Sequence, residues 1–124
     1  MKKKREHWVP LSMQVVEFLQ SHFGVIGEDG PLFRGRSYGG VISDNTLNMA
    51  LDRMGYKGKY TAHGFRAMAR TVLKEHLGVD DRYLEKQLAH EDENKTRRAY
   101  NRAEYSDERV KLMQTWSDWL DHQR

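Results

Sequence analysis

Pro10 and Pro31 are the only prolines in the chain. Beyond residue 31 every backbone N–H can donate, so helix can run wherever side chains favour it. The spacing of apolar residues then predicts a mainly α fold. Ser12 opens a helix to about His22, with Val15, Val16, Leu19 and Phe23 on one face. The glycine-rich stretch from Gly24 to Gly40 reads as loop with a short strand at Leu32–Phe33. Ser43 caps a second helix, with Leu47, Ala50, Leu51 and Met54 inward and Gly55 ending it. A third helix runs from about His63 to Leu77, with Phe65, Met68, Ala69, Val72 and Leu73 as its apolar side and Gly78 as its stop. A fourth starts at Asp80 or Asp81 and reaches about Ala89, and a short one carries Thr96 to Arg102. Ser106 caps the last, where Val110, Met113, Trp116 and Leu120 make a stripe at helical spacing. Residues 6–10 read as extended. The expected architecture is about six helices with a short N-terminal β segment.

Composition narrows the chemistry. At 124 residues, with 38% hydrophobic and 31% charged residues, the chain has an ordinary globular balance and the length of one small domain. It has no cysteine. Disulfides, thiolate zinc sites, iron–sulfur clusters and a cysteine nucleophile are therefore excluded together. No apolar run approaches the ~18 residues of a membrane helix. The basic start, Lys2 to Arg5, leads into Trp8-Val9-Pro10-Leu11 and not into a secretory apolar stretch. The net charge is +3, and all of the excess lies in the first half. An anionic partner thus has to be met by local placement of cations, not by overall charge.

Three segments can carry chemistry. In Thr61-Ala62-His63-Gly64-Phe65-Arg66, His63 and Arg66 lie three apart at a helix start and share a face that Arg70 and Lys74 extend. A proton carrier, a bidentate cation and a helix N-terminus together suit a phosphate. A solvated basic face with a histidine cap fits the same residues. Gln87-Leu88-Ala89-His90 ends a helix with a histidine, which either complements the helix dipole or joins a site. In Arg97-Arg98-Ala99-Tyr100-Asn101-Arg102 a tyrosine sits among three arginines. It is either a packing residue on a basic surface or a nucleophile whose phenolate the cations favour. Metal binding is poorly supported, because no His-x-x-x-His pair occurs. Trp116 and Trp119 read as core or interface.

In order, these fragments resemble the tyrosine recombinases, the phage-integrase family, and most nearly the integrases of prophages and genomic islands. The similarity rests on His-Trp-Val-Pro-Leu-Ser after an N-terminal lysine, Thr-Ala-His-Gly-Phe-Arg-Ala, Gln-Leu-Ala-His, Arg-Ala-Tyr-Asn-Arg, and Met113 to Leu120. It extends from about residue 2 to 121. It implies site-specific DNA recombination, the integration or excision of a mobile element. Tyr100 would attack a DNA phosphodiester, forming a 3′-phosphotyrosyl link and releasing a 5′-hydroxyl. Arg66 would hold nonbridging oxygens. His63 would act as acid–base partner, and His90 would hydrogen-bond the phosphate. Lys2, with Lys3 and Lys4 as alternatives, would protonate the leaving oxygen. Arg70, Arg97, Arg98 and Arg102 would contact DNA. No metal or nucleotide cofactor is implied, because the covalent link conserves the bond energy.

The resemblance also implies partners. These are double-stranded attachment sites, other integrase subunits in a tetramer on DNA, and DNA-bending accessory proteins. It implies a bacterial cytoplasmic, nucleoid-associated setting. Residues 1–124 would be the C-terminal portion of the catalytic domain, without the family's first catalytic arginine and without a separate N-terminal DNA-binding domain. Such a portion is expected not to recombine DNA alone. Residues 2–9 would then be a strand without its partners, which frays, pairs with a second copy or folds back. The interval from His90 to Tyr100 is one residue longer than in many members, which makes Tyr105 a rival nucleophile. A non-catalytic helical DNA-binding module, a phosphate-handling enzyme of small substrates and a helical adaptor are the competing readings.

Overall fold

The computed structural model describes residues 6–27, 29–36, 40–90 and 104–124. Five α-helices lie in these residues: α1 (Met13–Ile26), α2 (Thr46–Leu51), α3 (Ala62–Thr71), α4 (Asp81–Gln87) and α5 (Ser106–His122). Wider π-helical turns extend α2 over Asp52–Tyr56 and α3 over Val72–His76. The mainly helical expectation therefore holds. The segment expected to be helical at Thr96–Arg102 lies outside the described residues. The chain divides into two compact units, one made of Met1–Phe18 and Arg70–Arg124, the other of Leu19–Ala69.

The first unit holds every buried residue among those described. Val72, Leu73, Leu84 and Leu112 are its apolar centre, and Pro10, Ser12, Arg109 and Ser117 are buried with them. Ser12 does precede α1. Its Oγ receives the Val15 N–H at 3.4 Å, and its carbonyl receives the Val16 N–H at 3.0 Å. The same hydroxyl accepts a 2.6 Å hydrogen bond from Ser117, which fastens the start of α1 to α5. Around this buried pair, Gln114 accepts from the Met13 N–H, and Gln14 donates to Asp118 and Asp121. The bonds from Gln14 and Gln114 hold the Asp118 carboxyl below its ordinary range.

The stripe expected on α5 is rotated. Val110 is 45% exposed and Leu120 is exposed too, while Arg109, Leu112 and Ser117 are buried. Hydropathy ranks a serine and an arginine as outward. Here each is buried with its hydrogen bonds made, which offsets the cost of burying it. The helix also starts differently. Ser106 is its first residue, and Tyr105 takes the capping position in a left-handed conformation (φ 48°), its ring edge-on to Tyr83 at 5.2 Å.

The expected N-terminal β segment is not formed among the described residues. Residues 6–12 carry no strand and fold back within their own unit. Arg109 is fully buried and supplies the reason. Its guanidinium donates to the Trp8 carbonyl, to Gln87 Oε1 at 2.9 Å and to the Glu104 carbonyl at 3.2 Å, and it lies 5.7 Å from the centre of the Trp8 ring. Burial works against its charge and lowers its pKa, partly offset by Glu104. Arginine stays protonated regardless. His7 Nε2 adds a 3.1 Å bond to the Gln87 carbonyl.

In the second unit no described residue is fully buried. α1 runs past the expected end at His22 and stops at Gly27 (φ 80°), whose N–H bonds back to the Phe23 carbonyl at 2.8 Å. The strand expected at Leu32–Phe33 is absent. An isolated antiparallel bridge joins Arg34 and Val41 instead, where a Cβ on Gly35 would strike the Val41 backbone. α2 begins after Asn45 and not after Ser43, whose hydroxyl pairs with Thr46 at 2.9 Å. Gly55 ends the turn that follows at φ 92°, as its position in the sequence suggests. Of the residues expected inward here, Leu47 and Met54 are exposed.

Candidate active site

The second unit carries His63 and Arg66 in the opening turn of α3. Thr61 builds that start. Its Oγ1 and its carbonyl both accept from the Gly64 N–H, each at 3.1 Å. Gly64 allows the close fit, since an added Cβ would lie 3.2 Å from Thr61 Oγ1. The Ala62 N–H donates to Asn48 Oδ1 at 2.8 Å, which ties the start of α3 to α2. Tyr60 and Phe65 stack at 6.4 Å with planes 9° apart. Both His63 and Arg66 are exposed.

The first unit carries His90, one turn beyond α4. Asp80 caps that helix by accepting from the Arg82 N–H at 2.9 Å. The side-chain bond from Arg82, then its backbone bond, hold the Asp80 carboxyl below its ordinary range. At the other end Ala89 adopts a left-handed conformation (φ 52°). The Ala89 N–H reaches the Lys86 carbonyl at 3.1 Å, and the His90 N–H reaches the Glu85 carbonyl at 3.0 Å. This double closure is a Schellman cap, whose left-handed position normally goes to glycine.

The His90 side chain is fixed as well. Its Nδ1 lies 2.5 Å from Glu85 Oε2. The other oxygen, Oε1, takes two bonds from Arg70, 2.6 Å from Nη2 and 3.2 Å from Nε. Burial works against the Glu85 charge, but the bonds from Arg70 and His90 more than offset it and hold the carboxyl below its usual range. The same bonds raise the Arg70 pKa. Arg70, expected to face DNA, thus has two of its nitrogens on a carboxylate of its own chain. Lys74, expected to continue the stripe, pairs with Asp81 at 2.9 Å.

Glu85 is the residue that sequence reasoning missed. Its signal was the five-residue interval to a histidine just past a helix end, where the chain doubles back. Lys2, Tyr100, Arg97, Arg98 and Arg102 lie outside the described residues. The rival nucleophile Tyr105 is half-buried against Tyr83.

Comparison with known proteins gives the chain its family. The chain belongs to the phage integrase family, whose model matches residues 1–107. It is similar to the integrase of Enterobacteria phage P4, with 43% identity over 128 residues, 100% of this chain and 29% of that protein. It is also similar to the prophage integrases IntS (37% over 123 residues, 98% of this chain and 32% of that protein) and IntZ (39% over 121 residues, 98% and 30%) of Escherichia coli strain K12. The chain therefore spans about a third of the length of these curated relatives. No solved structure matches it significantly. Among the described residues no helix is long and apolar enough to cross a membrane.

Proposed function

We propose that this chain carries the strand-transfer site of a site-specific DNA recombinase. Tyr100 attacks the scissile phosphodiester and becomes the 3′-phosphotyrosyl ester, while Lys2 donates the proton that the departing 5′-oxygen needs. Arg66 neutralises the nonbridging oxygens, with the positive end of α3 behind it. His63 exchanges the nucleophile's proton. His90 hydrogen-bonds the phosphate. Arg97, Arg98, Arg102 and the remaining donors of Arg70 bind flanking phosphates, at double-stranded attachment sites that further subunits share. No step calls on a metal or nucleotide, since each ester exchange conserves a bond.

The observation that carries this reading is the family match over residues 1–107, which takes in Lys2, His63, Arg66, His90 and Tyr100 together. The capped start of α3 and the clamped His90 support it. Each is a defined position for a group that this reading assigns to phosphate.

The test uses a duplex from the DNA flanking the element, nicked beside the scissile phosphate so that cleavage traps the covalent product. Cleavage of one strand asks less than a full recombination reaction, so the wild-type chain is expected to give a protein–DNA adduct on a denaturing gel even where it cannot complete recombination alone. Tyr100→Phe abolishes it, and Arg66→Ala lowers its rate by about 10²- to 10³-fold. Adduct lost in Tyr105→Phe and kept in Tyr100→Phe moves the nucleophile to residue 105. Adduct retained in both variants overturns the reading.

A further inference from the structure

Glu85 stands between Arg70 and His90 and gives each a separate oxygen. Arg70 occupies Oε1 through two nitrogens, and His90 Nδ1 occupies Oε2. An ionised carboxylate only accepts hydrogen bonds, so the ring nitrogen facing it must carry a proton. Nδ1 is therefore the protonated nitrogen turned toward the protein, and Nε2 is the one left for another molecule. The backbone adds to this hold, because the Glu85 carbonyl also accepts from the His90 N–H. One residue thus fixes both the main chain and the ring of His90.

A purely stabilising role explains this poorly. The side chains of Arg70, Glu85 and His90 are 41%, 38% and 42% exposed. Ion pairs so open to solvent contribute little to stability. What the arrangement does supply is direction. Histidines at metal and catalytic centres are commonly held through one nitrogen so that the other is aimed. Arg70 completes the device by stopping the carboxylate from turning away.

We propose that Glu85 is a positioning residue that holds His90 by Nδ1 and so presents Nε2 to the DNA phosphate, with Arg70 locking the carboxylate. This rests on the proposed role of His90 at that phosphate. Glu85 itself touches no substrate. It sets which ring nitrogen is offered and in what orientation.

Two measurements on the full chain test it. The first is side-chain ¹⁵N NMR of His90 without DNA, at a pH where the ring is neutral. Wild type is expected to carry its proton on Nδ1, and Glu85→Ala to shift toward the Nε2-protonated form that free histidine favours. A wild-type proton on Nε2 overturns the proposal. The second is the rate of adduct formation on the nicked duplex. Glu85→Ala is expected to slow it by about 10- to 100-fold. Glu85→Gln keeps an acceptor for Nδ1–H and should recover most of that loss. Asp81→Asn removes an exposed ion pair from the same helix and should leave the rate unchanged. If His90→Ala slows the reaction and Glu85→Ala does not, the proposal is overturned. If wild type forms no adduct at all, the functional reading fails. The NMR result then decides alone whether Glu85 holds His90.

Discussion

The two compact units organise themselves by different means. Residues 1–18 and 70–124 contain all the buried side chains described, Leu84 at 1% exposure and Arg109 at 0% among them. The described residues of 19–69 include none, and expose Phe33, Leu47, Met54, Tyr60 and Phe65. The candidate residues divide along the same line. His90 belongs to the packed unit and is held by the Glu85 carboxylate, itself bound by Arg70, and by a helix cap. His63 and Arg66 belong to the open unit and are placed by the first turn of one helix. A side chain gains fixed geometry either from packing and hydrogen bonds around it or from the backbone beneath it.

The strongest way to break the comparison is to remove apolar volume from both. Leu84→Ala should cost about 2–5 kcal/mol, as deletions in closed cores do. Met54→Ala, at a position 68% exposed, should stay within about 0.5 kcal/mol. Chemical denaturation of the two variants decides it, and equal losses would erase the distinction. Next in size is Arg109→Met, which leaves the carbonyls of Trp8 and Glu104 without their buried donor. A loss of about 2–3 kcal/mol is expected, together with faster amide exchange or proteolysis near Trp8. A third change should act in the opposite direction. Ala89→Gly relieves the left-handed conformation at the end of α4 and should gain up to about 1 kcal/mol in thermal melts.

The gentlest test is acid. Asp80, Glu85 and Asp118 all lie in the packed unit, and all have carboxyls below their ordinary range. Their contribution to stability is present in full above the unfolded-state values near pH ~4 and is lost as pH falls through the lower folded-state values. Melting temperature should therefore hold steady down to about pH 5 and decline below it. A decline that begins near neutrality would assign the loss to other groups.

Much of the helical plan was legible because it depends on neighbours in sequence. Asp80 and Gly55 act locally, and each does in the structure what its position suggests. The match of the motifs to the integrase pattern was legible for the same reason. What stayed hidden depends on distant partners. Arg109 is inward only because Trp8, Gln87 and Glu104 receive it, and Ser117 only because Ser12 waits more than a hundred residues away. Leu47 and Met54 mislead in the other direction, since apolar spacing reports what could be buried and not what is. Glu85 was hidden because its role needs both Arg70, 15 positions back, and a reversal of the chain at Ala89.

The Arg109 guanidinium has a consequence for chain entropy. One planar group gathers Trp8, 101 positions away in sequence, and Gln87, 22 positions away. The closure penalty for bringing two points of a chain together grows only with the logarithm of their separation, about 0.6 kcal/mol for each doubling. Reaching the distant N-terminal residues therefore costs only about 1 kcal/mol more than reaching Gln87 does.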